Sequence, residues 1–498
     1  MTLPGKRLSQ GNLARLSALA VLLGSLLVYL STLAPGLSWA NNGADGGDLV
    51  TAAATAGVAH PSGYPTYLLL ARLFLAFPLG SLAGRAAFLS AVCAAGAAAV
   101  VTLLVCQSSA APRRFALAGG LVAGLAFGLS PLLWSQAVIA EVYALHVLFV
   151  ALILYSLPLG GSPRRAGWPD VLAGLLFGLA LGNHLTTALL LPPWLLFSVW
   201  VDGRWEPGRL ARRVAALAAG LLVYGYLPFS ASRYPPVNWG LPLDWPGFWW
   251  TVSGIPYHNL VFGLPSAYVL NRVEGWAGLI ITQFGLAGMI VAFYGLFLGD
   301  GNSARVKTVT LWQALVFSIF AIGYNTADSA AYLLPAFLAL AVWLGLGLAS
   351  GLASLRLSSV RRPARLALAG GLVVTLAYQA ARQLPAVDAS RDDSAAAFGQ
   401  AVMELAVPNA IIFTQADKDS FAAWYYHFAL GQRPDTAVVV EPLLQFAWYR
   451  AEMSAAGLTL PDRPAPSWRQ ALIAANPRPV CDTHLEAAQP ALTCAGPR

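Results

Sequence analysis

The sequence predicts an α-helical membrane protein with about eleven transmembrane helices, followed by a small α/β domain outside the membrane. Of the 498 residues, 57% are hydrophobic and 10% are charged, and the mean hydropathy is +0.63. This composition excludes an ordinary soluble protein. Apolar runs long enough to cross about 30 Å of hydrocarbon recur as far as residue 384, and charged residues become frequent only beyond it.

We therefore expect a transmembrane domain over residues 1–384 and an extracytoplasmic domain over residues 385–498. The eleven apolar segments lie near residues 15–34, 86–106, 115–134, 143–160, 170–185, 187–201, 213–230, 276–298, 308–327, 331–352 and 366–384. Asn183 and His184 could mark a tight turn between two short spans or a polar break inside one long helix. No clean small-x-small cleavage site follows the first segment, so we expect it to be a retained signal-anchor helix.

Lys and Arg residues are concentrated on one side of this topology, which indicates that this side is the cytoplasm. That side carries Lys6, Arg7, Arg15, Arg113, Arg114, Arg164, Arg165, Arg204, Arg209, Arg212, Arg213, Arg305, Lys307, Arg356, Arg361, Arg362 and Arg365. The opposite loops carry only Arg72, Arg85, Arg233 and Arg272. With eleven spans, we expect a plasma (inner) membrane protein with a cytoplasmic N-terminus and an extracytoplasmic C-terminal domain. The net charge of +8 follows from this bias and does not indicate a nucleic-acid partner.

Strand and helix patterns alternate after residue 385, which predicts a small α/β domain with a modest core. The predicted elements are a strand within 409–417, a helix at 424–430, a strand at 436–440 and a helix at 443–449. The proline-rich stretch from Pro461 onwards is predicted to be irregular. Cys481 and Cys494 would fit a disulfide in an extracytoplasmic compartment, whereas Cys93 and Cys106 are expected to be packing residues inside the second span.

The loop after the first span, residues 35–85, carries the most informative motif of the chain. In a protein with so few charges, two carboxylates at the edge of the bilayer indicate a functional site at the membrane surface. The motif consists of Asp45-Gly-Gly-Asp48 and His60-Pro-Ser-Gly-Tyr64-Pro-Thr-Tyr67.

Two further external loops carry polar and aromatic side chains. Arg233 and Trp239 lie in a loop with four tryptophans, which could form part of the interfacial aromatic belt. They could equally form a wall against a sugar or lipid head group, with Arg233 available for a phosphate. Glu141 and Tyr143 lie at the outer end of the fourth span, where Glu141 could cap the helix or contact a substrate.

These motifs together resemble the eukaryotic transmembrane protein O-mannosyltransferases that act on plexin-type domains, and their bacterial relatives. The resemblance is carried by the acidic pair, the His-Pro-x-Gly-Tyr-Pro string and the shorter strings Leu33-Ala-Pro35, Ala140-Glu141-Val-Tyr143, Gly182-Asn183-His184, Asn238-Trp239-Gly, Asp328-x-x-x-Tyr332-x-x-Pro335, Asp417 and Arg433-Pro434-Asp435. It implies a GT-C glycosyltransferase fold and a polyprenyl-phosphate-linked sugar donor, with mannose as the family's sugar. Members usually show Asp-Ser-Gly-Glu where this chain has Asp45-Gly-Gly-Asp48, so the second carboxylate here reaches one methylene less far.

Transfer of a sugar from a lipid phosphate needs a base for the acceptor hydroxyl, and donors or positive charge near the phosphate. We predict that Asp45 is this base, and that one carboxylate suffices if transfer inverts the anomeric centre. Asp48 would orient Asp45, contact the sugar or, with Asp45, hold a divalent cation. Arg72 is a candidate phosphate contact. The predicted substrate-binding residues are His60, Tyr64, Tyr67, Arg72, Glu141, Tyr143, His184, Arg233, Trp239 and Asp328.

Purely structural roles are open for several of these residues. Asp48 could be the N-cap of the helix that follows it, and His60 could end that helix before a proline. His184 could make an interhelical hydrogen bond, and Asp328 could cap the tenth span.

Three functions are compatible with the pattern. The leading one is a transferase that uses a polyprenyl-phosphate-linked sugar and a protein, lipid or glycan acceptor among the membrane lipids of the outer face. The alternatives are a transporter or flippase of a lipid-linked saccharide or polar solute, and a membrane scaffold. A transporter would place ionisable residues in mid-span, and a scaffold leaves the acidic cluster at one membrane face unexplained.

Overall fold

The computed structural model of the protein describes residues 10–157, 167–201, 204–298, 303–355, 361–463, 466–486 and 489–495. Its first part is helical apart from loops and one short hairpin. The helices are Gln10–Ser31 (α1), Gly46–Thr55 (α2), Pro65–Leu75 (α3), Leu82–Ser108 (α4), Arg113–Gly128 (α5), Pro131–Ala137 (α6), Tyr143–Ser156 (α7), Trp168–Leu181 (α8), Leu191–Val199 (α9), Pro207–Leu221 (α10), Tyr226–Ala231 (α11), Trp245–Val252 (α12), Ser266–Phe297 (α13), Ala304–Gly323 (α14), Leu334–Ser354 (α15) and Arg361–Val387 (α16). The hairpin strands are Trp200–Val201 (β1) and Arg204–Trp205 (β2).

Seven helices of the described residues are long and apolar enough to cross a membrane, which confirms a multi-span membrane protein. They are α1, α4, the continuous stretch Pro207–Ala231 formed by α10 and α11, α13, α14, α15 and α16. Helices α5 and α6 are bent by 61° and could together form an eighth span. Helices α3, α7 and α8, and the segment Leu185–Val199 that contains α9, are apolar but shorter.

Each of the eleven predicted segments coincides with helix in the structure, but three of them correspond to the shorter apolar helices. The number of spans therefore stays a prediction, as does the side of the membrane on which the C-terminus lies. Some of the charges used for the topology lie outside the described residues or have side chains outside them: Lys6, Arg7, Arg164, Arg165, Arg356, Arg361 and Arg362.

The predicted cytoplasmic charges are not all exposed, because two of them are buried between α8 and α10. Arg209 and Arg213 place their Nε atoms 3.2 and 3.0 Å from Oδ1 of Asp170. Small residues bring these two helices close, as is common in membrane proteins. A Cβ added to Gly178 would overlap the carbonyl oxygen of Leu217.

Beyond α16 the chain forms a four-stranded sheet with helices packed around it. The helices are Ser394–Leu405 (α17), Asp417–Trp424 (α18), Ala447–Ala455 (α19) and Trp468–Ala475 (α20). The strands are Ile411–Thr414 (β3), Ala437–Val440 (β4), Val480–Thr483 (β5) and Leu492–Ala495 (β6). Their order is β4-β3-β5-β6, with β3 parallel to both neighbours and β6 antiparallel to β5.

The stretch after residue 461 was predicted to be irregular, and this prediction is wrong. It contains α20 and the strands β5 and β6, which complete the sheet. Its described prolines lie outside these elements, so they do not interrupt the strand pairing. Cys481 and Cys494 face each other across β5 and β6 and form a disulfide.

The sheet region and the helical region share one continuous hydrophobic core. Contacts between them centre on α2, which packs against α18 and against the turn Tyr425–Ala429 that follows it. Gly47 of α2 packs directly on the backbone of α18. A Cβ added to Gly47 would overlap the carbonyl oxygen of Phe421 and lie 2.9 Å from its Cβ. The division of the chain into two domains near residue 385 stays a prediction.

Substitution Gly47→Ala is expected to destabilise the protein by about 1–3 kcal/mol, because neither backbone can yield to the added methyl group. Thermal unfolding in detergent would measure this as a lowered midpoint. Gly36→Ala is the matched control, since its Cβ would have Ser81 Oγ at 3.9 Å as its nearest neighbour. Equal midpoints for the two variants would show that the contact between α2 and α18 is not tight.

Candidate active site

A cavity of about 720 Å³ lies where the loop after α1, the segment around residue 257, the segment before α15 and the start of α18 meet. Seven of the predicted site residues line this cavity, although they are far apart in sequence. They are Asp45, His60, Tyr64, Tyr143, His184, Trp239 and Asp328.

Asp45 and Asp48 occupy different positions at the start of α2. A short 3-10 turn, Ala40–Asp45, leads into the helix through Asn41 and Asn42, which are in the left-handed region that asparagine tolerates. Asp45 takes the N-cap position but its side chain makes no capping hydrogen bond, so its carboxylate is free to face the cavity. Asp48 lies inside the first turn, so its interpretation as the N-cap is wrong.

Asp48 is fully buried behind His60 and accepts three hydrogen bonds. Its Oδ2 accepts from the backbone N–H of His60 at 3.0 Å and from Nδ1 of His60 at 2.7 Å. Its Oδ1 accepts from Nε1 of Trp239 at 3.0 Å. Trp239 is held there because its backbone N–H donates to the carbonyl of Val58, at 3.2 Å. Asp48 therefore orients the imidazole and the indole.

The second ring nitrogen of His60 points to Asp45, so the two carboxylates and His60 form a chain. Nε2 of His60 is 3.7 Å from Oδ2 of Asp45. The ring of Phe421 stacks on His60 with an interplanar angle of 14° and a centroid distance of 6.3 Å. Tyr64 approaches the same ring edge-on, at 5.0 Å. His60 is thus fixed on every side, and the contact with Asp48 explains its position better than a role in ending a helix.

The electrostatics of this chain follow from burial and from the opposite charges. Asp45 keeps 34% of its side chain exposed to the cavity. Burial by the surrounding protein nevertheless raises its pKa to about 6, although the positive charge of His60 acts to lower it. Burial lowers the pKa of His60, but the charge of Asp45 and the hydrogen bond to Asp48 outweigh this and raise it to about 9. At neutral pH, Asp45 is therefore mainly a carboxylate and His60 a cation.

The opposite wall of the cavity is built around Asp328. Its Oδ2 accepts a hydrogen bond from the hydroxyl of Tyr143 at 3.0 Å. Asp328 precedes the turn Ser329–Leu333, but its side chain makes no capping hydrogen bond there. His184 contacts Thr186 Oγ1 at 2.7 Å through Nδ1, a local contact rather than an interhelical one. Both residues thus present polar atoms toward the cavity.

Besides Asp48, four of the predicted site residues do not line the cavity. Tyr67 and Glu141 are buried in the protein core, and Oε2 of Glu141 accepts from the N–H of Val142 at 3.2 Å, at the start of α7. Arg72 donates to the carbonyl of Ala53 at 2.8 Å. Arg233 lies over the ring of Phe229, at 4.3 Å.

The sequence patterns did not predict the cavity residues that come from the C-terminal part of the chain. Asp417, Lys418 and Phe421 line the cavity, at the start of α18, directly after β3. The carboxyl ends of parallel strands are where open α/β sheets bind ligands, so a charged pair following a predicted buried strand was the signal available. Tyr257, from the tryptophan-rich loop, was also missed.

The acidic pair does not fit a shared metal ion. The oxygens of Asp48 are occupied by three hydrogen-bond donors of His60 and Trp239, and only Asp45 faces the cavity. Within the described residues no group of three or more His, Cys, Asp or Glu side chains is arranged to hold a metal.

Comparison with known protein families finds two matches in the chain. Residues 45–206 match the family model described as the N-terminal domain of protein O-mannosyl-transferase TMEM260. Residues 395–459 match the model described as TMEM260-associated domain 2. The mouse protein O-mannosyl-transferase TMEM260 is 27% identical over 447 residues, which cover 83% of this chain. The chain spans 61% of the length of that relative.

Two solved structures are similar over nearly the whole chain. ArnT from Cupriavidus metallidurans, bound to undecaprenyl phosphate, has a TM-score of 0.59 and 14% identity, and the match covers 94% of this chain and 92% of ArnT. The Archaeoglobus fulgidus oligosaccharyltransferase in its apo form has a TM-score of 0.55 and 12% identity, with 93% and 69% covered. At such low identity these matches establish the fold alone.

Proposed function

From its similarity to the TMEM260 protein O-mannosyl-transferases and its GT-C fold, we propose that the chain is an integral membrane glycosyltransferase. It transfers a sugar from a polyprenyl-phosphate donor to an acceptor hydroxyl, with Asp45 as the general base. Mannose is the sugar that the name of its relatives indicates. The acceptor is a hydroxyl of a protein, lipid or glycan.

The position of Asp45 carries this proposal. Its carboxylate opens into the cavity, and no hydrogen bond within the described residues occupies its oxygens. A pKa raised by burial to about 6 makes it a stronger base than an exposed aspartate while leaving it ionised at neutral pH, as general-base catalysis requires. The cavity of about 720 Å³ has room for a sugar and its phosphate.

The reaction needs one base and no general acid. The acceptor oxygen forms a bond to the anomeric carbon while the bond from that carbon to the phosphate oxygen breaks, and its electron pair leaves on the phosphate. The proton of the acceptor hydroxyl passes to Asp45. One carboxylate suffices when the anomeric centre is inverted, because acceptor and leaving group lie on opposite faces of the sugar.

The same proposal gives the protein an orientation. The cavity faces the outside of the plasma (inner) membrane, the N-terminus is cytoplasmic, and residues 385–498 form an extracytoplasmic domain beside the transmembrane domain 1–384. The asymmetric distribution of Lys and Arg supports this orientation. Residues 35–85 are then the catalytic first external loop.

Purified protein in detergent, offered a panel of radiolabelled polyprenyl-phosphate sugars and a cell-envelope acceptor extract, tests the proposal. We expect release of sugar from one donor by the wild type and release that is at least about 100-fold slower by Asp45→Asn, with or without EDTA. Turnover of no donor by folded protein would contradict transfer and favour transport of a lipid-linked saccharide. Loss of turnover in EDTA would contradict the metal-free site.

The activity should depend on pH as a bell-shaped curve. Asp45 acts as a carboxylate, so kcat/KM should rise with pH as this group loses its proton at a pKa of about 6. His60 contributes positive charge near the anionic donor, so kcat/KM should fall as it loses its proton at about 9. Because the two groups interact, the apparent values belong to the pair. A profile that is flat between pH 5 and pH 7 would exclude Asp45 as the base.

A further inference from the structure

The C-terminal part of the chain closes one side of the cavity through the segment that follows β3. This strand lies between β4 and β5 and is parallel to both, so its carboxyl end is the point where the strand order reverses. Ligands in open α/β sheets bind at this point. Here the same edge of the sheet is turned toward the transmembrane helices, and Asp417 and Lys418 enter the cavity from it.

The segment between β3 and α18 is held in one conformation by a buried carboxylate. Asp419 accepts from the backbone N–H groups of Gln415 and Ala416, at 2.9 and 2.8 Å, and from Oγ1 of Thr483 on β5, at 2.6 Å. These bonds satisfy the amides at the start of α18 and tie the segment to the sheet. The residues next to Asp419 are thereby presented to the cavity from a rigid support.

Lys418 brings a second positive charge, besides that of His60, to a cavity that three aspartates line. Asp45, Asp328 and Asp417 line it, and among the described lining residues Lys418 is the one lysine or arginine. Its Nζ lies 5.6 Å from the ring centroid of Trp39, a distance that suits a cation–π contact. No carboxylate of the described residues forms a salt bridge with it, so its ammonium protons are available to a ligand.

The arginines of the predicted external loops have partners elsewhere. Arg72 and Arg85 donate to backbone carbonyls, and Arg233 packs on an aromatic ring. Arg272 donates to the carbonyl of Thr326 and to the hydroxyl of Ser329, which anchors the segment that carries Asp328. His60 is already paired with Asp45 and Asp48. Lys418 is therefore the cation best placed to meet an anion inside the cavity.

We propose that Lys418 binds the phosphate of the lipid-linked donor, so that the C-terminal part of the chain contributes a substrate-binding residue to the active site. This inference rests on the function proposed above. The donor phosphate is a diester with one negative charge, and it leaves as a monoester that carries a second. An ammonium group beside the phosphate favours the charge that develops as the anomeric bond breaks.

Amine labelling detected by mass spectrometry tests this contact without any turnover. The chain has three lysines, Lys6, Lys307 and Lys418, so the other two are internal references. We expect undecaprenyl phosphate to protect Lys418 in the wild-type protein, and undecaprenol, which lacks the phosphate, to leave it reactive. Absence of protection would overturn the proposal. Equal protection by inorganic phosphate at the same concentration would overturn the assignment to a lipid-linked phosphate.

Kinetics with the labelled donor provide the second test. Lys418→Met should lower kcat/KM for the donor about 10- to 100-fold, the loss expected for a charge-assisted hydrogen bond, and Lys418→Arg should recover most of it. Arg463→Met is the matched control, because Arg463 is an exposed cation of the same region that does not line the cavity. Wild-type kinetics in Lys418→Met would overturn the proposal.

The two tests separate this inference from the proposed function. If Lys418 is protected by undecaprenyl phosphate but no sugar donor is turned over, the transferase proposal fails and the lipid-phosphate site stands. If sugar is transferred and neither labelling nor kinetics involve Lys418, the transferase stands and this inference fails.

Discussion

Substitution Asp45→Asn should lower the rate of sugar transfer about 10²- to 10⁴-fold, the usual contribution of a positioned general base. The amide is nearly the same size as the carboxylate but cannot accept the proton of the acceptor hydroxyl. The ion pair with His60, at 3.7 Å, is also lost. Because Asp45 makes no capping bond to α2, folding and donor binding should change little. Single-turnover transfer with saturating donor would measure the loss at the chemical step.

Asp393→Asn is the matched control for this experiment, because Asp393 is an exposed aspartate outside the cavity. This variant should transfer sugar at the wild-type rate. An Asp45→Asn protein that retains more than about a tenth of the wild-type rate would rule out a general-base role. A variant that loses donor binding to the same extent would instead place Asp45 in ground-state recognition of the sugar.

Substitution Asp48→Asn should lower kcat/KM at neutral pH about 10- to 100-fold, as misplacement of a catalytic group does. The amide has one acceptor oxygen where Asp48 uses two, so either His60 or Trp239 faces a donor instead of an acceptor. A buried donor without a partner costs about 1–3 kcal/mol, so the unfolding midpoint should fall as well. Asp48 acts on the cavity only through His60 and Trp239 and is therefore a positioning residue.

The pH profile distinguishes this positioning role from simple loss of stability. Without the charge of Asp48 the pKa of His60 falls, so the cation is less populated at neutral pH. Asp45 then loses part of the positive charge that lowers its pKa, a larger effect than the loss of the Asp48 charge that raises it. The acid limb of kcat/KM should therefore move to higher pH. Trp239→Phe removes only one hydrogen bond to Asp48 and should leave this limb where it is. An unshifted acid limb in Asp48→Asn would contradict the coupling through His60.

Much of the candidate site could be predicted because its strings are local in sequence. The acidic pair and the His-Pro-x-Gly-Tyr-Pro string lie in one loop, and the structure brings His60 and Tyr64 to the cavity with Asp45. The failures concern residues whose environment depends on distant segments. Arg72 lies in the last turn of α3, but its guanidinium donates to the carbonyl of Ala53 and does not reach the cavity.

Two properties follow from the sequence by itself: a multi-span membrane protein and an acidic loop after its first apolar helix. The length of an apolar run and the residue types of a short motif are local quantities, so no tertiary contact is needed to recognise them. The α/β character of the C-terminal part is likewise visible in its strand and helix patterns.

Only the tertiary structure decided what each carboxylate does. Asp45 and Asp48 are separated by one helical turn, yet one opens into the cavity and the other is sealed behind His60 by an indole that comes from 191 residues further along the chain. The same holds for Lys418, which reaches the cavity because α18 packs on α2 at Gly47. Burial and charge at a site are set by segments that meet only on folding, and a linear pattern does not contain that information.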